Sequence, residues 1–336
     1  MKIVQAKDMT YDQWKSYAQF DAELNRKFYK EDSGKVKGWE EFKRNIFSDL
    51  ELLSDDFLRH YVFFENEKAA GYLGIRLIGD GAEFIIDAIY DTIPDRFMNP
   101  VLEIVRKYML EKNKTEIQSY SRRDGIINAL TNAGGIIIDR KIYARIMRKD
   151  IDINELKKIT DSVSEKINYK LILYNTIHEE ILDRYVDIYN EARIDMNQFN
   201  PGKPEIKKRT REDVLKKLKW DKGPDDKMYM YMLFDDKKIA AFCSLFIRAE
   251  NKHMIDQAGG LTTVGREYRG QNLARFLKAK IYLKMLEEFP DFEFIRTDTY
   301  PWNKYMYRIN KEMGFKPYEE YCEIKLTMMK LLNEGQ

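Results

Sequence analysis

Two cysteines and three histidines are all that these 336 residues offer for disulfide, thiol or imidazole chemistry. Cys243 and Cys322 stand in apolar, strand-like stretches and form no CxxC pair, which points to small buried hydrophobes in a reducing compartment. His60, His178 and His253 lie far apart without ligand spacing, so no metal site is expected. No apolar run approaches the roughly 18 residues of a membrane span, and the opening segment lacks the apolar core of a signal peptide. The expectation is a cytoplasmic protein. An excess of either charge is also missing: 58 basic and 56 acidic residues leave a net charge of +2. A polyanion-binding chain usually shows a basic surplus or stripe, so nucleic acid is not an expected partner.

What is present is enough apolar material, 44% of the chain, for two cores, and a length beyond the roughly 100–200 residues of one domain. The charged, low-aromatic stretch from Asp150 to Asn168 separates two halves that read alike. Composition therefore places domains at 1–150 and 169–336, with a linker over 151–168, although that stretch has the makings of a helix. Each half passes from helix-rich to strand-like sequence at an apolar run broken by a short charged turn, at 61–78 and again at 228–247. Both read as β-hairpins, with Phe64 matching Phe234 and Lys68 matching Lys238. Further on, 116–137 overlays 294–315 as strand, turn, helix and glycine stop, with Gly135 on Gly314, Leu130 on Ile309 and Asp124 on Asn303. Two matches in the same order predict a duplicated domain. The basic run 203–219 reads as a solvated helix face capped by Thr210 and Asp213.

The stretch from His253 to Leu286 carries the chemistry. It is strand-like up to Val264, and Gly259-Gly260 marks a bulge or a close approach of another backbone. A helix begins near Asn272, with Leu273, Phe276, Leu277, Ile281 and Met285 on one buried face. The turn Arg269-Gly270-Gln271-Asn272-Leu273-Ala274 thus ends at a helix N-terminus, where unpaired N–H groups and the helix dipole favour an anion. Gly270 lacks the Cβ that would keep a phosphate off the backbone, and Arg269 adds a fixed positive charge. A second strand and helix follow at 294–315, entered through Pro301 and Asn303 and stopped by Gly314, with Phe315 packing back.

In this order of elements the chain resembles the GNAT N-acetyltransferase superfamily. The sequence TTVGREYRGQNLARFLK is similar to that family's acetyl-CoA loop, and NKYMYRINKEMGF to its second CoA-contacting segment. With the weaker first copy, the layout is similar to the tandem arrangement of mycothiol synthase. The resemblance implies an α/β fold of two GNAT-like domains, each a central, mostly antiparallel mixed sheet flanked by helices. It implies acetyl-CoA as cosubstrate and a small-molecule primary amine as acceptor. The pantetheine arm would enter between two splayed strands and pair with backbone of Leu261, Thr262, Thr263 and Val264. The pyrophosphate would rest on the N–H groups from Arg269 to Ala274, and Asn303 would bond the pantetheine amide.

Two departures bear on this. Glu267 faces a phosphate unless it turns away, while Asn272, where the family often has Gly or Ala, tolerates positive φ. Asn310 stands where many members carry the tyrosine that protonates the leaving thiolate, and an amide is no acid. Tyr305 and Tyr307 are the nearest phenols, on different helix faces. Asp256, on the strand bordering the acyl group, is the candidate general base, with a hydrogen-bonded strand end as its plain alternative. N–H groups near Leu261 are the candidate oxyanion donors. In the first half the corresponding loop, Thr92–Met109, has two prolines and no glycine, so no CoA is expected there. Besides acyl transfer, the residues leave open a CoA-binding regulatory protein without turnover and, against the charge balance, an RNA-linked aminoacyl transferase. They also leave open whether the chain is a monomer or a homodimer.

Overall fold

The computed structural model describes residues 1–28, 38–40, 42–43, 58–78, 81–198, 208–222, 225–249 and 251–328. In chain order the elements begin with β1 (Lys2–Gln5), α1 (Tyr11–Phe28), β2 (Leu58–Glu65), β3 (Lys68–Ile78) and β4 (Gly81–Ala88). There follow α2 (Asp95–Glu111), β5 (Glu116–Ser121), α3 (Asp124–Asn132), β6 (Ile136–Met147), α4 (Ile153–Ser164) and β7 (Lys170–Tyr174). Next are α5 (Glu179–Gln198), α6 (Arg211–Asp221), β8 (Lys227–Asp235), β9 (Lys238–Ile247), β10 (Met254–Asp256) and β11 (Thr262–Val264). The chain closes with α7 (Leu273–Glu288), β12 (Phe294–Thr299), α8 (Lys304–Glu312) and β13 (Lys316–Thr327).

These elements form two compact units, but not at the boundaries that composition suggests. The first unit is Met1–Lys141 with Glu320–Gln336, and the second is Ile142–Glu319. Pairing explains the assignment: Cys322–Thr327 of β13 lies antiparallel to β5, while Ile142–Met147 of β6 lies antiparallel to β12. The first unit thus takes its closing strand from beyond the second, while the second is one continuous segment that opens on the end of β6. The linker expected over 151–168 is instead the packed helix α4, capped by Asp152. Its Leu156, Ile159 and Val163 are buried in one core with Leu277 and Ile281 of α7.

Within the first unit, β1, β2, β3 and β4 pair antiparallel in turn, and β5 joins β4 in parallel. Helices α2 and α3 cover one face, and α1 covers the other with Trp14, Tyr17 and Phe20. Within the second, β7, β8 and β9 pair antiparallel, β9 continues to β10 and β11, and β10 joins β12 in parallel. Helices α4 and α7 cover one face, and α5 and α6 the other. Thr210 and Asp213 cap α6 reciprocally as the sequence predicts, while 203–207 lie outside the described residues.

The duplication is visible in irregularities rather than in identity. Both hairpins turn on a left-handed residue, Asn66 (φ 47°) and Asp236 (φ 51°). Both slip register at the matched phenylalanines, between Phe63 and Phe64 and between Leu233 and Phe234. The second overlay needs a shift of one residue. Gly134 (φ 77°), not Gly135, matches Gly314 (φ 89°), since each is the left-handed residue that ends its helix. Leu130 then matches Asn310, and the N-cap Arg123 matches the N-cap Asn303.

Candidate functional site

In the second unit β10 and β12 run parallel from Met254↔Phe294 to Asp256↔Arg296, and the Gln257 N–H still donates to the Arg296 carbonyl at 2.9 Å. The chain then bulges over 257–261. Gly260 is obligatory there, because a Cβ would stand 2.1 Å from the Ser244 carbonyl oxygen. Beyond the bulge β11 pairs only with β9 among the described residues, while Thr297–Thr299 of β12 pair with β6. A gap therefore opens between β11 and β12. The Leu261 carbonyl accepts from Ser244 N–H and the Gly265 N–H donates to the Ala240 carbonyl, both toward β9. By the alternation of an antiparallel ladder, the backbone groups of Thr262 and Val264 point the other way, into the gap. Leu261 itself offers no free donor, since its N–H is taken by Ser244 Oγ at 2.9 Å.

The gap leads to the loop ahead of α7. Gly270 (φ 82°) and Asn272 (φ 60°) are both left-handed, so the chain turns twice before the helix starts. A Cβ at Gly270 would meet nothing within 4 Å, which leaves open space over the backbone. No side chain caps the helix at Asn272, so the N–H groups at Leu273 and Ala274 have neither an intrahelical acceptor nor a cap. Arg269 and Arg266 both pair with Asp195 of α5, the latter through Nε at 2.9 Å. Burial pushes the Asp195 carboxyl up, but the two guanidiniums outweigh it and hold it below the ordinary carboxylate range. Glu267 turns away to Lys238 at 3.0 Å, which removes the conflict with a phosphate. Gln271 accepts from the Tyr169 hydroxyl at 3.1 Å.

Asn303 caps α8, its Oδ1 accepting from Met306 N–H at 3.2 Å, which leaves Nδ2 as a donor. Asn310 is buried, and neither atom of its amide has a partner among the described residues. It lines a cavity of about 310 Å³ with Ile142, Ala144, Thr299, Tyr307 and Phe315. Tyr305 is 73% exposed, with the Arg308 guanidinium beside its ring, so it stands on the face of α8 opposite Asn310. Asp256 is buried and its carboxylate is already engaged. Arg248 Nη2 lies at 2.8 Å, Arg296 Nη2 at 3.2 Å, and the Gly259 N–H donates at 3.2 Å. This is the hydrogen-bonded strand end, with two arginines added.

The sequence reading passed over a buried polar cluster under β11. Lys278 of α7 is 1% exposed and donates to Gln257 Oε1 at 2.6 Å, and the Tyr282 hydroxyl bonds the same oxygen. Burial lowers the Lys278 ammonium to about 8 and raises the Cys243 thiol. The signal was legible: Lys278 lies four residues before Tyr282 and between Leu277 and Ala279, on the buried side of the helix.

The first unit differs at the same place. β4 and β5 also part after Phe84↔Ser119. Here the buried Arg123 spans the strand ends, pairing with Asp87 and donating to the Ala88 and Tyr90 carbonyls. The following loop lacks a left-handed residue and lies against α3, where a Cβ at Gly125 would stand 2.0 Å from the Asp91 carbonyl.

No protein-family profile matches the sequence, and no curated protein matches it significantly. Solved structures do resemble it. A tandem GNAT protein from the clavulanic acid biosynthesis pathway superposes with a TM-score of 0.70 at 15% identity, over 97% of this chain and 98% of that one. A GCN5-related N-acetyltransferase from Sphaerobacter thermophilus gives 0.62 at 10% identity, over 97% and 96%. A conserved protein from Enterococcus faecalis, described as a probable N-acyltransferase, gives 0.53 at 8% identity, over 97% and 72%. At such identities the likeness establishes the fold: an α/β chain of two GNAT-like domains in tandem.

Proposed function

We propose that the second unit is an N-acyltransferase site that moves an acetyl group from acetyl-CoA to a primary amine of a small molecule. One feature carries the reading: a strand gap that ends at an uncapped helix N-terminus, reached through the left-handed pair Gly270 and Asn272. Pyrophosphate oxygens fit the N–H groups from Gly270 to Ala274, with Arg269 free to leave Asp195 for them. The gap-facing backbone of Thr262 and Val264 suits the pantetheine amides, and Asn303 Nδ2 supplies one more donor. The amine attacks the thioester carbon directly, and its proton passes to water. Asp256, held between Arg248 and Arg296, orients those arginines instead of accepting it. CoA departs as the thiolate, which needs no tyrosine acid because a thiol has a pKa of about 8.5. The first unit, with Arg123 across its gap, takes no CoA.

A second reading, a CoA-responsive regulator without turnover, is favoured by Asn310, whose amide has no partner among the described residues, at the family's tyrosine position. Incubation with acetyl-CoA and a panel of primary amines, with free thiol as readout, separates the two. Amine-dependent release of CoA supports transfer. Binding of acetyl-CoA with no release for any amine supports the regulator.

A further inference from the structure

The buried cluster under β11 has a direction. Lys278 only donates, so the atom of Gln257 that faces it must be the oxygen, and the amide orientation is fixed by chemistry. Tyr282 donates to the same oxygen. The Gln257 Nε2 group must then point to Cys243 Sγ, 3.1 Å away, and the sulfur accepts. Cys243 Sγ lies 3.2 Å from Thr262 Oγ1, the one acceptor described for its own S–H. Either atom of this contact can donate; since the sulfur already accepts from Gln257, donation by the thiol satisfies both groups and turns the Thr262 hydroxyl proton elsewhere. Thr262 is half-buried on the strand that borders the gap, and no other partner of its hydroxyl is described. Four buried side chains, one of them a lysine in an apolar core, thus leave a single outward donor.

We propose that the Thr262 hydroxyl donates a hydrogen bond to the thioester carbonyl of the acyl donor, and that Cys243, Gln257, Lys278 and Tyr282 act as positioning residues that hold it as a donor. The inference rests on the reading of the gap as an acyl-CoA site. As the amine nitrogen bonds to the carbonyl carbon, the C=O pair moves onto oxygen, where a preset donor is worth most. The pair returns as the C–S bond breaks, and the thiolate leaves with the sulfur's electrons. The amine proton goes to water, and Thr262 keeps its own throughout.

The test compares acetyl-CoA with S-ethyl-CoA, a thioether without the carbonyl, by calorimetry, and records the infrared carbonyl stretch of ¹³C-acetyl-CoA on the protein. The native chain should prefer acetyl-CoA by about five- to tenfold, the effect of one neutral hydrogen bond, with the stretch moved to lower wavenumber. Thr262→Val should bring the two affinities within about twofold and return the stretch to its value in water, while Thr262→Ser keeps both effects. Lys278→Met should narrow the preference and weaken the shift without touching the substrate itself. An unchanged preference and stretch in Thr262→Val would overturn the inference and leave the CoA reading standing. Failure of both ligands to bind the native chain would overturn the CoA reading, and this inference with it.

Discussion

Lys278 sits in an apolar core with one strong hydrogen bond, and the consequence is a pH-dependent cost. Its folded value near 8 lies below the value of about 10.4 in an unfolded chain. The unfolded state therefore binds the proton more tightly, and the penalty is fully present below pH 8 and relieved as pH rises toward 10.4. Lys278→Met should raise stability by about 1–3 kcal/mol at pH 7, with the gain shrinking between pH 8 and 10.4 in urea titrations. Arg123 behaves oppositely. Its pair with Asp87 is buried on both sides, so Arg123→Ala should destabilise the first unit by about 3–5 kcal/mol in the same assay. At this scale the sequence showed the positive φ that Asn272 tolerates and the helix cap at Asn303, because turn chemistry is local. It did not show the partners of Asp256, since Arg248 just after β9 and Arg296 on β12 meet it only through strand pairing. Arg123 escaped for the same reason, and a one-residue error in the overlay hid its equivalence to Asn303.

The loop between β11 and α7 is held at two points, and each makes a separate expectation. Gly260 lets β11 bulge against Ser244, so Gly260→Ala forces a backbone shift and should cost about 3 kcal/mol while weakening acetyl-CoA binding through the altered gap. Asp195 ties Arg266 and Arg269 to α5. Asp195→Asn should speed amide hydrogen exchange across 266–274, and exchange unchanged there would show that the ion pairs do not order the loop. The elements themselves were readable, since the periodic face of α7 and both hairpins follow from side-chain spacing. The strand gap was expected from family resemblance alone, because nothing in the spacing of Asp256–Val264 says that two neighbours part.

For the whole molecule, the pairing of β13 with β5 and of β6 with β12 means that the halves cannot be cut apart at 150 or 168. A chain stopped after Glu319 leaves Cys322, Ile324 and Leu326 missing from the first unit's core. It should lose that unit's cooperative unfolding transition by circular dichroism. A fragment of 169–336 lacks α4 and residues 142–147 and should fail to fold, whereas independent folding would contradict the assignment of those strands. Composition misplaced the boundary because it sees charge along the chain, whereas the units are defined by long-range pairing.

The proposed function requires the loop from Gly270 to Ala274 to receive the pyrophosphate of acetyl-CoA. Calorimetric titration of acetyl-CoA into the native chain and into Gly270→Asp is the test. A Cβ there meets nothing within 4 Å, but the φ of 82° strains any side chain, so the variant's fold is checked by circular dichroism alongside. Micromolar binding by the native chain and none by the variant is the predicted result. Equal binding by both would place the ligand elsewhere, and no binding by the native chain would contradict the account.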